Sequence, residues 1–315
     1  MTTLRDRTAE QAETPDHTGT SGHTGTPGHT GTPGHYSTPG RYGTPLAPPE
    51  ALRPWITEID SINSVGSPDF GRADTGAITH VPDAATRLVF RVLPDGGTDV
   101  VAIGPRTKAS YYEEKRLPMC LQLRFRPGAA RPLLGVSARE LVGRAEPLES
   151  LPGEAGRRLA RGLAALGPAP DPDAVLARMA ELLPDGLTPR DRGERARDGL
   201  VRAAVEALST APGRDRPGTV TEVARQLAVS ERQLRNLFAD GVGLPPKHFA
   251  RIDRVRQVLA GAGAEGNPRW AGLAHATGYY DQSHMTAEFR ALLGVPPTAF
   301  VSGRLPATRP CGPGH

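Results

Sequence analysis

The sequence predicts an α+β protein: a disordered tail, then a mainly β domain, then an all-α domain with two helix-turn-helix units. Three observations predict it. Short apolar runs separated by turn residues fill the middle of the chain, helical periodicity begins near residue 198, and a short helix, a turn and a longer helix then occur twice. A chain of 315 residues is long enough for two domains of ordinary size.

Residues 1–45 are predicted to form a disordered, low-complexity tail. A six-residue repeat rich in Gly, Thr and Pro places His17, His23, His29 and His35 at equal spacing. These residue types bury too little apolar surface to offset the entropy lost on ordering. Weak metal binding by the four histidines is the alternative interpretation. Disorder is favoured because no position of the repeat carries a large apolar residue.

Residues 46–165 are predicted to form a mainly β domain. Apolar runs with strand character occupy four segments: Ala77–Val81, Arg87–Leu93, Asp99–Ile103 and Cys120–Phe125. A Pro-Asp-Gly-Gly sequence at 94–97 predicts the turn between two of them. Strands this short favour a small barrel or a sandwich.

Residues 166–197 are predicted to be a linker with a short helix. Asp171 can cap this helix, and Pro172 suits its first position. Its apolar residues share one face: Val175, Leu176, Met179 and Leu183. This face has two interpretations. It packs onto the neighbouring domain, which is the favoured interpretation, or it forms a dimer contact.

The first helix-turn-helix unit is predicted within residues 198–303. Val223, Ala224 and Leu227 line the inner face of a short helix, and Ala228 and Val229 form the turn. Ser230 is then expected to cap a second helix, with Gln233 completing a capping box. The inward positions of that second helix are Leu234, Leu237 and Phe238.

Arg232, Arg235 and Asn236 are left on the outer face of this second helix. Arginine and asparagine are the side chains that bind guanine and adenine edges bidentately in the major groove. A capped helix that presents them outward is therefore predicted to contact DNA bases.

The second unit repeats the pattern. Trp270–Thr277 is predicted as a short helix, Gly278 as a turn residue with positive φ, and Asp281 as the cap of the next helix. The outer face of that helix carries Gln282, Ser283, His284 and Ala287. A longer helix over 246–260 separates the units. If the two recognition helices are parallel and about 34 Å apart, they enter successive major grooves.

The charge distribution is consistent with a nucleic-acid partner. Residues 214–305 contain twelve basic and eight acidic residues, so the whole net charge of +4 lies in this segment. A surplus confined to one segment is typical of a nucleic-acid face.

The segment 198–303 resembles the DNA-binding domain of the AraC/XylS family of bacterial transcription regulators. The matching stretches are 228–238 and 278–289, the latter followed by Gly294-Val-Pro-Pro297. The resemblance implies regulation of transcription through promoter or operator DNA. It implies base contacts by Arg232, Arg235 and Asn236 in the first unit and by Gln282, His284 and Ala287 in the second.

One position departs from the family pattern. Family members often have a long polar or basic side chain where this sequence has Ala287, so the second unit is expected to be less strict about bases. It is then expected to anchor on phosphate, through Arg290 and helix amino-termini. The resemblance also implies a sensing or dimerising β domain. A small-molecule effector and a homodimer are both left open, and residues 304–315 are predicted to be a disordered tail.

The sequence lacks the residues that other functional classes require. Cys120 and Cys311 are too few for a four-ligand zinc site, and neither lies in a reactive motif that a DNA alkyl transferase would require. No enzyme activity, cofactor or metal is predicted. No apolar run suits a signal peptide or a membrane span, so a cytoplasmic protein is expected. A non-specific architectural DNA-binding protein is the alternative.

Overall fold

The computed structural model describes residues 44–62, 78–113, 117–187, 191–209, 218–264 and 268–310. The histidine repeat, nearly all of the predicted amino-terminal tail and Cys311 lie outside these ranges. So do four of the charged residues counted in 214–305.

Within these described ranges, eight strands form two antiparallel sheets. The strands are β1 Thr44–Leu46, β2 Ile56–Ile62, β3 Ile78–His80, β4 Arg87–Val92, β5 Thr98–Ile103, β6 Ser110–Tyr112, β7 Met119–Phe125 and β8 Ala145–Pro147. Six of them form one sheet in the order β1-β2-β7-β4-β5-β8, and β3 pairs with β6. All four strands predicted from the sequence are present, and the turn joins β4 to β5.

The larger sheet is neither a barrel nor a sandwich, because helices cover one of its faces. These are α1 Arg131–Leu134, α2 Glu154–Ala164 and α3 Pro172–Leu187. The sheet contributes Leu88, Phe90, Leu121 and Leu123 to a core in which these side chains are fully buried. The apolar faces of the helices close that core, so a second sheet is not needed.

The segment predicted as a linker belongs to this core. Val175, Met179 and Leu183 of α3 are fully buried within it. The apolar face of α3 therefore packs onto the β domain, which is the favoured of the two sequence interpretations. The next helix, α4 Arg192–Leu208, begins before residue 198 because Asp191 caps it, accepting the Glu194 N–H at 2.8 Å.

Six further helices follow α4 in the carboxyl-terminal region. They are α5 Val220–Gln226, α6 Glu231–Val242, α7 Pro246–Ala264, α8 Trp270–Ala276, α9 Gln282–Leu293 and α10 Pro297–Val301. One core joins α4, α5 and α6, and another joins α7 to α8, α9 and α10. Phe249 of α7 enters the first core and Ile252 the second, so α7 connects the two.

The same four-residue signal ends α6 and α9. Gly243 and Gly294 follow these helices with φ of 87° and 79°, the left-handed conformation that favours glycine. Two prolines come two residues later in each case, and the second proline begins α7 or α10. At Gly243 a Cβ would also lie 2.7 Å from the carbonyl oxygen of Ala138, so the neighbouring β domain leaves no space for a side chain.

The carboxyl-terminal residues within the described part of the chain pack onto β6. The N–H of Arg309 donates to the Tyr111 carbonyl, and its own carbonyl accepts from the Glu113 N–H, both at 3.0 Å. The sequence predicted a disordered tail from residue 304, and this pairing involves backbone groups that carry no sequence signal. No helix in the described ranges is long and apolar enough to cross a membrane.

Candidate nucleic-acid interface

The first helix-turn-helix unit consists of α5, a tight turn and α6. The N–H of Gln233 donates to the Ser230 hydroxyl at 3.1 Å, which is the cap predicted for α6. The two-way capping box lies one helix earlier, where Thr219 and Glu222 each accept the other's backbone N–H, at 2.8 and 3.3 Å. Sequence reasoning missed it, although the Thr-x-x-Glu spacing was the available signal.

The inner face of α6 is apolar and its outer face is polar. Leu234 and Phe238 are buried, whereas Leu237, predicted to point inward, is half-buried. The Phe238 ring meets Phe249 of α7 edge-on, with centroids 5.3 Å apart. The three predicted base-contacting residues are all exposed: Arg232, Arg235 and Asn236.

One of these residues has a partner within the chain. Arg235 donates to the carboxylate of Glu231 one turn earlier, and the same carboxylate accepts from the Thr221 hydroxyl at 2.6 Å. Exposed ion pairs at this spacing contribute only about 0.3–0.5 kcal/mol. A bidentate base contact is worth about 1–3 kcal/mol of discrimination. The ion pair with Glu231 therefore restrains the Arg235 side chain only weakly.

The second unit consists of α8, its turn and α9. Gly278 has φ of 77°, as predicted for this turn, and Asp281 caps α9 by accepting the His284 N–H at 2.7 Å. The backbone of His284 thus serves the cap, while its side chain is exposed and lies edge-on to Tyr279, with ring centroids 5.3 Å apart. The other predicted contact residues are exposed too: Gln282, Ser283 and Arg290.

A buried ion-pair cluster fixes α9 to α7. Glu288 of α9 accepts from Arg251 at 2.9 Å and from Arg254 at 3.0 Å, and the Arg254 guanidinium lies 4.9 Å from the centre of the Tyr279 ring. Glu288 is 8% exposed, so its charge depends on these partners. Sequence periodicity did not identify Glu288, because a carboxylate at an inward position carries no apolar signal.

The β domain engages α7 through a second charged cluster. Arg124 binds Asp83 through two hydrogen bonds of 2.7 and 2.9 Å, and Arg256 of α7 lies 3.8 Å from the same carboxylate. Burial alone would raise the pKa of Asp83, but Arg124, Arg256 and Arg87 outweigh it and hold that pKa far below its usual range.

These clusters change which arginines are available to a phosphate. Arg251, Arg254 and Arg256 contribute to the basic surplus of the sequence, yet all three face carboxylates inside the protein. Among the described residues between 218 and 305, the exposed cations lie elsewhere, at Arg225, Arg232, Arg235, Lys247, Arg269, Arg290 and Arg304. The two recognition helices thus hold three of the exposed arginines.

The β domain also contacts the carboxyl-terminal ends of both recognition helices. The Gly128 N–H donates to the Gly241 carbonyl of α6 at 3.1 Å. At α9, the Ala109 N–H donates to the Leu292 carbonyl at 2.8 Å, and the Tyr111 hydroxyl donates to the Leu293 carbonyl. The last carbonyls of a helix lack partners within it. Burial raises the pKa of the Tyr111 hydroxyl to about 12.

Residues 223–303 match the sequence profile of a family described as a helix-turn-helix domain. The match includes both turns and both recognition helices. The carboxyl-terminal region is an AraC-type helix-turn-helix domain. Through this domain, the chain is similar to AraC-like transcription regulators.

A Streptomyces lividans protein described as an AraC-like transcription regulator is 33% identical over 100 residues. This match covers 32% of the present chain and 32% of that protein. The chain therefore matches about a third of the length of this AraC-like relative.

Solved AraC-type structures are similar at lower identity. A regulator from Chromobacterium violaceum is 18% identical and covers 36% of this chain and 96% of its own, with a TM-score of 0.30. ToxT from Vibrio cholerae O395 is 10% identical and covers 72% of this chain and 98% of its own, with a TM-score of 0.34. At these TM-scores the assignment of the helix-turn-helix domain rests on the sequence matches alone.

Proposed function

We propose that the protein is a sequence-specific transcription regulator that binds promoter DNA in the cytoplasm, with α6 and α9 in successive major grooves. One observation carries the proposal. Two capped helices of equal length in one AraC-type domain both expose polar side chains near their amino-terminal ends. This is the end that contacts base edges when such a helix lies in the major groove.

The proposal assigns separate roles to the exposed residues. Arg232, Arg235 and Asn236 contact bases from α6, and their long or bidentate side chains favour guanine and adenine. In α9 the corresponding contacts come from Gln282, Ser283 and His284. Arg290 lies two turns further along α9 and binds phosphate, which positions the helix without selecting a sequence.

Selection from a random DNA pool tests the proposal. The full chain should enrich a discrete site that protects about two helical turns of DNA in a footprint. Its affinity for this site should exceed its affinity for random DNA by at least about a thousandfold at physiological salt. Equal affinity for both across salt concentrations would contradict the proposal and favour a non-specific architectural protein.

We further propose that the β domain regulates DNA binding by setting the relative position of the two recognition helices. Its contacts with the carboxyl-terminal ends of both helices support this role. A cavity of about 220 Å³ lies beside the contact with α6, lined by Phe125 and Gly128 of the β domain and by Val242 and Phe249 of the helices. A small-molecule effector in this cavity would act on α6 and α7 directly.

Removing a single contact tests this regulatory role. Tyr111→Phe deletes the hydroxyl that binds α9 and keeps the buried ring, so it should change the spacing between the two halves of the selected site. Tyr112→Phe, in the same strand, is the matched control and should leave the spacing unchanged. An identical selected site in both variants would contradict the role.

A further inference from the structure

The turns of the two helix-turn-helix units differ by one residue, and the hydrogen bonds show which residue is extra. In the first unit the Val229 N–H donates to the Ala224 carbonyl at 3.0 Å. In the second unit the Tyr279 N–H donates to the Ala274 carbonyl at 2.9 Å. Val229 and Tyr279 are therefore equivalent.

The residue after each of these positions differs. In the first unit Val229 is followed directly by the cap of α6, whereas in the second unit Tyr280 intervenes before Asp281 caps α9. The two caps perform the same task, since each accepts the N–H of the third residue after it. Tyr280 is thus an inserted residue with no equivalent in the turn of the first unit.

The side chain of Tyr280 lies outside the protein core. It is 93% exposed, and it is the only large apolar side chain exposed to this degree among the described residues. Its neighbour Tyr279 is 4% exposed and already fills the inward position. An aromatic ring left in water gives up the free energy that burial would provide, so Tyr280 contributes little to the stability of the fold and its ring is available to a ligand.

We infer that Tyr280 binds the DNA backbone at the edge of the groove that α9 enters. The turn of such a unit lies beside the sugar-phosphate backbone when its second helix lies in the major groove. The ring then packs on a deoxyribose, and the hydroxyl donates to a phosphate oxygen, as tyrosine commonly does in protein–DNA complexes. This inference rests on the proposed function and extends it to a residue outside the recognition helices.

The surroundings of Tyr280 favour DNA over a protein partner. The residues that follow it are Asp281, Gln282, Ser283 and His284, all polar and exposed. A hydrophobic protein interface needs a contiguous apolar patch, and a single ring among polar groups does not supply one. A duplex offers sugar and phosphate side by side, which suits a ring that ends in a hydroxyl.

Binding measurements with the full chain test the inference, using the duplex that the wild-type protein selects. Tyr280→Ala should weaken binding about tenfold, and Tyr280→Phe, which keeps the ring, about threefold. The selected sequence should stay the same, because a backbone contact carries no base information. Thr298→Ala, an exposed residue beyond the far end of α9, is the control and should bind like the wild type.

Duplexes with one methylphosphonate locate the contact. At one phosphate beside the α9 half of the site, this neutral group should weaken DNA binding by the wild-type protein more than it weakens binding by the Tyr280→Phe variant. The effects of the two changes on the binding free energy should therefore not be additive. Wild-type affinity in Tyr280→Ala, or a changed selected sequence, would overturn the inference while the proposed function stands. If the wild type prefers no sequence, the proposed function fails first.

Discussion

The two helix-turn-helix units share a scaffold and differ in the chemistry of their exposed faces. Each has a first helix of 7 residues and a second helix of 12. The second helix has a side-chain N-cap at its amino-terminal end and a glycine with positive φ at its carboxyl-terminal end. The face of α6 carries two arginines, whereas that of α9 carries neutral side chains at its amino-terminal end. Caps and apolar positions specify the scaffold, so the exposed face can vary independently.

The units also differ in how their second helix is held. Leu237 of α6 is half-buried, and that helix packs on α7 through Phe238 and Phe249. The equivalent of Leu237 in α9 is Glu288, which binds two arginines of α7. Apolar contacts tolerate small displacements, whereas a buried ion pair depends on geometry. The attachment of α9 to α7 therefore relies on ion pairs, whereas that of α6 relies on apolar contacts.

The largest effect is expected where both units depend on one contact, at Asp83. Asp83→Ala leaves Arg124 and Arg256 without their carboxylate and should lower the free energy of unfolding by about 3 kcal/mol in urea titrations at pH 7. Because the pKa of Asp83 is depressed on folding, its contribution is full above the unfolded value of about 3.9 and declines as the pH falls below it. The difference from wild type should shrink at pH 3. Glu154→Ala, at an exposed ion pair with Arg157, should lose much less.

Glu288→Ala should destabilise the second unit more than Leu237→Ala destabilises the first. We expect a loss of about 2–3 kcal/mol, because Arg251 and Arg254 would be left partly buried without an anion. Urea unfolding measures both variants. A smaller loss for Glu288→Ala than for Leu237→Ala would mean that α9 does not depend on its ion pairs.

Arg235→Ala and Ser283→Ala test the difference between the exposed faces. Arg235→Ala should remove about 1–3 kcal/mol of discrimination at one base pair, whereas Ser283→Ala should remove less. Binding to the selected site and to single base-pair variants measures this. Arg290→Ala, the phosphate control, should weaken all duplexes alike and make binding less salt-dependent.

The turn residues predict opposite effects of exchanging glycine and alanine. Ala228 has φ of 52°, in the region where a residue with a Cβ is strained. Ala228→Gly should therefore raise the free energy of unfolding, and Gly278→Ala should lower it, by up to about 1–2 kcal/mol in each case. Thermal unfolding of both variants tests this. A loss of stability in Ala228→Gly would show that the left-handed turn is not under strain.

The smallest effect is expected at Glu231. Glu231→Gln removes the charge that holds Arg235 and should change the free energy of unfolding by no more than about 0.5 kcal/mol. DNA affinity should rise severalfold, since a carboxylate near phosphate is lost and Arg235 is released. Titration of the selected duplex measures this. Weaker binding would instead indicate that Glu231 itself contacts a base.

Local signals in the sequence predicted most of the scaffold. The four predicted strands and the caps at Ser230 and Asp281 depend on neighbours within a few residues, and all are present. The predicted barrel or sandwich was wrong, because the assignment of α3 to the sheet core depends on packing between segments far apart in the chain. The buried ion pairs of Glu288 and Asp83 were not predicted for the same reason, since the arginines that stabilise each carboxylate lie far away in the sequence.

The sequence by itself determined that two capped helices with polar outer faces would form, because periodicity and capping act over one or two turns of chain. It also determined which side chains lie outward at Arg232, Arg235 and Gln282. Only the tertiary structure decided which arginines remain available to DNA, that the β domain holds both recognition helices at their far ends, and that Tyr280 stands alone in solvent. These features are set by contacts between distant segments, and no short stretch of sequence encodes such contacts.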